Sequence, residues 1–176
     1  MRKPLSFAIV AAVLSMAAAV ETPAQSVGEY HLKAAFLFNF ARFVEWPAES
    51  FKRPTDPILI CVLGESEIAG PLEEAVKGKL VGERHLVIQR GLVSGLAGCH
   101  IVFAGANGKR RRFAEEMKGP GILTIGEDEA FLSDGGAVAL LLVSDRVRMK
   151  INLSAAERAG LHISSKLLGL AQVVRK

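Results

Sequence analysis

The spacing of apolar and polar positions changes several times along the chain, and each change marks an element. From about Val27 to Val44 apolar residues recur every three or four positions, which predicts a helix. On a helical wheel Leu32, Phe36, Phe40 and Phe43 share a stripe with Ala35 at its margin, and this stripe is the expected core contact. Tyr30, His31, Ala34, Phe38, Arg42 and Glu45 fall on the other side, where Phe38 is an aromatic among polar or small neighbours. Trp46-Pro47 ends the helix, because a residue before proline is pushed out of helical geometry. Ile58 to Leu63 is apolar at every position, as a strand buried on both faces must be.

Further along, a helical stretch from about Glu67 to Val76 precedes a polar turn through Gly82 and a strand from His85 to Gln89. Gly91 to Gly98 reads as a loop, His100 to Ala104 as a third strand, and Ile122 to Ile125 as a fourth. Between the last two, Gly105-Ala106-Asn107-Gly108 opens a basic helix from Lys109 to about Lys118. The order then changes. Ala137–Val143 and Arg146–Leu153 are joined at Ser144-Asp145, which predicts an antiparallel hairpin. In its second arm Val147, Met149, Ile151 and Leu153 alternate with Arg146, Arg148, Lys150 and Asn152, so one face packs and the strand lies at or near an edge. Ser154 and Glu157 have capping-box spacing for a short helix ending at Gly160. Ser164 or Ser165 caps a last helix that turns Leu167, Leu168 and Ala171 inward. The expected architecture is α/β: a mostly parallel central sheet flanked by helices on both faces, with a C-terminal antiparallel hairpin.

The first residues stand apart from this pattern. Arg2 and Lys3 precede an apolar run from Leu5 to Val20, and Thr22-Pro23-Ala24 offers small residues three and one before a cut. This is the anatomy of a secretory signal peptide over residues 1–24, leaving residues 25–176 as one domain. The run is short of the roughly 20 apolar residues that a spanning helix needs. The mature protein is therefore expected to be soluble outside the cytoplasm. In an oxidising compartment Cys61 and Cys99 suggest one bridge, and the alternative is two small buried side chains that never meet.

Composition narrows the function mainly by exclusion. Half the residues are hydrophobic and 23% are charged, the balance of an ordinary globular domain. The net charge of +4 becomes +3 when Arg2, Lys3 and Glu21 leave, too mild an excess for a nucleic-acid footprint. His31, His85, His100 and His162 lack metal-ligand spacing, and two distant cysteines make no zinc motif. Cys99 and His100 are adjacent on a strand, so they point to opposite faces and form no thiolate–imidazolium pair. Ser94 lies in Gly91-Leu92-Val93-Ser94-Gly95, which is not a nucleophile elbow, and Arg110 stands where a phosphate-binding loop needs Ser or Thr after Lys109. No catalytic set, cofactor site or metal site is expected. A small-ligand rim remains open at the strand ends, at Gly64, Glu65, Ser66, Gly105, Ala106 and Asn107, where helix N-termini present backbone donors. Tight turns alone also account for these glycines.

Several segments together resemble the YfiR-like family of bacterial periplasmic proteins. They are the stretch from Tyr30 to Phe40 running on to Glu45-Trp46-Pro47, then Ile60-Cys61-Val62-Leu63-Gly64 and Gly98-Cys99-His100-Ile101-Val102-Phe103. Ile122-Leu123-Thr124-Ile125, Ile151-Asn152-Leu153 and the stretch from Ala159 to Leu168 follow in order. The resemblance implies a regulator that binds and represses the periplasmic part of an inner-membrane diguanylate cyclase, lowering cyclic-di-GMP and restraining biofilm formation. It also implies sequestration by an outer-membrane-associated partner, while other members serve different membrane proteins such as sensor kinases. Family members often carry more cysteines, so redox control through a second bridge is not open to this chain.

The expected partner-binding residues are Phe38 with its neighbours His31 and Arg42, an aromatic hot spot flanked by polar groups. Packing in a homodimer or burial in the core explains Phe38 more simply. His162 and Lys166, polar groups just before the last helix, form the second candidate, with helix capping as the plainer account.

Overall fold

The strand Ile58–Leu63 (β2) is the centre of the fold, because its two apolar faces need cover from both sides. In a computed structural model, which describes residues 23–92, 95–105 and 115–175, that cover comes from a large apolar cluster on one face and a smaller one on the other. Helix α1 (Pro23–Phe43) runs into a two-residue strand β1 (Val44–Glu45), and a loop then leads to β2. Helix α2 (Ala69–Val76), β3 (Leu80–Val81), β4 (Arg84–Leu92), β5 (Ile101–Phe103) and β6 (Leu123–Gly126) follow. The chain continues through α3 (Glu129–Ser133), β7 (Val138–Val143), β8 (Arg146–Asn152), α4 (Leu153–Arg158), β9 (His162–Ile163), α5 (Ser165–Leu168) and β10 (Gln172–Val174).

Among the described residues the main sheet has the order β10-β8-β7-β6-β5-β2-β4-β3. Its body, β4-β2-β5-β6-β7, is parallel throughout, and the direction of strand succession reverses on either side of β2. The β7–β8 hairpin adds the expected antiparallel pair, turning at Ser144 and Asp145 with φ of 49° and 60°. Both central residues left-handed is the geometry that suits the right-handed twist of a tight hairpin. On one face Ile58, Ile60, Val62, Ile101, Phe103, Leu123, Ile125 and Leu140 pack against α1, α2, α4 and α5. On the other, Cys61, Leu63 and Val102 meet Leu96, Cys99 and Phe131. Phe131 leaves no space beside the backbone: a Cβ on Gly136 would sit 2.2 Å from its ring.

Several expectations change. The buried side of α1 is Lys33, Ala34, Leu37, Phe40, Ala41 and Val44, whereas Leu32 is 45% exposed. The small Ala34 and Ala41 lie fully within the core, and the larger Phe36, Phe38 and Phe43 pack at its margin, half-buried. The helix that follows β8 begins at Leu153, one residue before Ser154. Its cap is Asn152, whose backbone is extended and whose Oδ1 accepts from Ala155 N–H at 3.3 Å. β3, β9, β10 and α3 have no counterpart in the sequence pattern, and β8 is consequently one strand in from the edge. Of the basic helix expected from Lys109, residues 109–114 lie outside the described set, and Glu116–Lys118 form a 3-10 turn. Most of the expected leader lies outside that set too, while α1 begins at Pro23.

Candidate functional site

The last turn of α1 is joined to the C-terminal part of the chain by a small antiparallel ladder. Val44 pairs with Ile163 and Glu45 with His162, and Ser164 N–H donates to Phe43 O at 2.9 Å. Ser164 also caps α5, its Oγ accepting from Lys166 N–H at 3.3 Å. Arg42 and the His162–Lys166 segment therefore meet at one end of the molecule, which the sequence alone could not establish. Arg42 lies 5.7 Å from the Phe38 ring and 5.2 Å from the Phe43 ring. Lys79, absent from the sequence-based list, caps Phe38 at 4.5 Å. Phe38 lies between the two accounts open from sequence: it is half-buried against the core margin, beneath two cations. His31 stands apart, about three helical turns earlier, where its Nδ1 lies 2.7 Å from Val27 O and its Nε2 3.5 Å from Glu74 on α2.

The strand-end rim is a different kind of place. Gly64 and Gly105 are buried, Ser66 half-buried and Glu65 exposed, while Ala106 and Asn107 lie outside the described residues. Two side chains that were not singled out from sequence occupy this crevice, Lys33 and Glu127. Lys33, only 3% exposed, reaches down from α1 to pair with Glu127 at 2.6 Å and with Glu29 one turn back. Its ammonium also lies 5.1 Å from the Tyr30 ring. The Glu127 carboxylate sits so close over Gly105 that a Cβ there would be 2.9 Å from Oε2. At the place where parallel sheets of this order accept ligands, the protein has put an internal ion cluster.

The opposite end of the sheet is closed by His100 and the cysteines. Cys61 on β2 and Cys99 just before β5 are disulfide-bonded with Cα atoms 5.9 Å apart, which resolves the alternative left open by the sequence. His100 is a satisfied structural histidine. Its Nδ1 accepts from Leu59 N–H at 3.1 Å, so the proton sits on Nε2, which donates to Ser50 O at 3.1 Å. Its ring stacks on Phe51 at 4.4 Å, and Trp46 meets it edge-on at 6.2 Å. The Arg84 guanidinium covers the far side of Phe51 at 3.5 Å. Burial pushes the imidazole pKa below its ordinary value of 6.5, against the opposing pull of the Ser50 carbonyl. A cavity of about 430 Å³ lies beside it, lined by Ser50, Leu96, Cys99, His100, Glu116 and Ile122 among others.

Among the described residues no group of three or more His, Cys, Asp or Glu is placed to hold a metal, and no helix is long and apolar enough to cross a membrane. No curated protein matches the chain. A solved conserved domain protein from Vibrio cholerae O1 biovar El Tor is similar over 65% of this chain at 12% identity and a TM-score of 0.45. The match spans 54% of that protein. The description of YfiR/HmsC-like proteins matches residues 30–172, from the second turn of α1 into β10, so the chain belongs to the YfiR/HmsC-like family.

Proposed function

We propose that this protein is exported through a leader at residues 1–24 and represses an inner-membrane diguanylate cyclase by binding its periplasmic part, with release governed by an outer-membrane-associated protein. YfiR/HmsC-like proteins are periplasmic regulators of cyclic-di-GMP signalling and not catalysts, and membership over residues 30–172 is the observation that carries the proposal. The geometry supports a binding role over a ligand-sensing one, because Lys33, Glu29 and Glu127 fill the strand-end crevice. It also supports a docking surface at the end of α1, where exposed Arg42 and Lys79 cover the half-buried Phe38 and the β1–β9 ladder brings in exposed His162 and, just beyond it, Lys166. Such a basic rim around an apolar centre fits an acidic partner surface.

Deleting the gene in a host that has a periplasm-sensing cyclase is expected to raise cyclic-di-GMP and surface attachment; unchanged levels would refute the cyclase assignment. Arg42→Glu combined with Lys166→Glu should weaken capture of the cyclase periplasmic domain by about tenfold or more, equivalent to about 1.4 kcal/mol. The melting temperature should hold, since both side chains are exposed.

A further inference from the structure

The segment from Trp46 to Pro57 crosses the amino end of the sheet without one fully buried residue. Its far half is held by Arg84, whose Nη1 donates to Asp56 O at 2.6 Å and to Arg53 O at 3.3 Å. Its near half, Trp46 to Phe51, packs by Trp46 and Phe51 on the core margin, with Arg84 over Phe51. Its polar ties run through His100: the bond to Ser50 O, the stack on Phe51, the edge contact with Trp46, and the Trp46 Nε1–H bond to His100 O at 3.3 Å. We propose that this near half is an acid-released strap, with His100 as its catch, which opens while the rest of the domain stays folded.

The argument is one of proton placement. The catch requires a bare Nδ1, because that nitrogen accepts from the Leu59 amide at the start of β2. Protonation puts a second donor against the Leu59 N–H, so this bond is lost and the ring must turn away. The Ser50 bond and the Phe51 stack depend on the same ring plane and go with it. An imidazolium also adds positive charge to a stack already closed by Arg84. The charged groups around the ring are Arg84 from β4, Asp56 from the strap's far half and Glu116 across the cavity. Asp56 is engaged by Arg53 at 2.8 Å, and Glu116 Oε2 accepts from Leu96 N–H at 2.8 Å. Arg84 and burial oppose the charged ring, and Asp56 favours it.

Release has a route outward. Trp46 directly follows β1, and Pro47 packs beside Gly160, so a loose strap loosens the pairing of Glu45 with His162. That last step, regulation of docking, rests on the proposed function; release itself does not.

Trp46 is the chain's only tryptophan, so its fluorescence reads the catch directly. Titrating the purified protein from about pH 8 to about pH 5 should give one Trp46 transition with its midpoint below 6.5. Amide exchange at Ser50, Phe51 and Leu59 should quicken by about tenfold or more while far-ultraviolet circular dichroism holds. In His100→Gln, which carries no titrating ring, the transition should vanish. Should that variant not fold, the wild-type His100 ring followed by NMR must titrate with the same midpoint as Trp46. A flat Trp46 signal, a midpoint unlike that of His100, or a change arriving only with global unfolding would overturn the strap. Release with capture of the cyclase domain unchanged would overturn the coupling to docking alone, and the Arg42→Glu, Lys166→Glu variant tests docking separately.

Discussion

The two ends of the parallel sheet are each closed around a buried nitrogen base, and they solve the problem in opposite ways. At the carboxyl end the Lys33 amine is paired with two carboxylates, one from α1 and one just past the end of β6. At the amino end His100 gives up its charge and is held by one donor and one acceptor of the backbone. A charged base with charged partners makes a lock of ion pairs. A neutral base with neutral partners makes a lock that a proton opens. The difference lies in the partners each base has, carboxylates at one end and uncharged backbone groups at the other.

Lys33→Met gives the largest expected effect. It strands Glu127 and Glu29 without their cation, and urea unfolding should show a loss of about 3–5 kcal/mol. A loss below 1 kcal/mol would mean that water already screens the cluster. Next comes the amino end, where Cys99 precedes His100. Reducing the Cys61–Cys99 bond opens a loop of 38 positions and should cost about 2–4 kcal/mol, read as a drop in melting temperature with reductant present. If His100 alone secures that end, the drop will be far smaller.

The smallest effect is the pH term of His100, and its sign is fixed. The folded pKa is depressed, so the contribution is complete above the ordinary value of 6.5 and is lost as pH falls through the folded value. Asp56 is held below the usual 3.8 by its bond from Arg53, so its own titration lies under this window. Melting curves of wild type and His100→Gln should therefore converge as pH drops from about 7.5 to about 5. Parallel curves would mean that the ring keeps its bonds when protonated.

Much of the fold was legible where burial is local. Ile58 to Leu63 announces a central strand because every position is apolar, and the β7–β8 hairpin shows in the alternation from Arg146 to Asn152. The buried face of α1 was misread for a physical reason. Wheel reasoning weights the bulk of Leu32 and Phe36, whereas the buried stripe takes the small Ala34 and Ala41, and a cation enters when carboxylates await it. Nothing near Lys33 in sequence announces Glu127, which lies 94 positions away. His100 was equally silent, since its partners Ser50 and Leu59 offer only backbone atoms. Short strands such as β9 and β10 take their identity from distant neighbours, and pattern cannot supply that. Of the site residues, Arg42, His162 and Lys166 were named from sequence, but only the β1–β9 ladder places them together.

That ladder also constrains how the molecule is made. Synthesis delivers α1 and β1 first, yet their mates on β7, β8 and β9 come off the ribosome near the end. Until then α1 can pack on α2 while the rest of its apolar surface stays uncovered, and long-range closures of this kind are slow. For the export proposed above such delay is an advantage, because a chain still unfolded at the membrane can complete its tertiary structure on the far side.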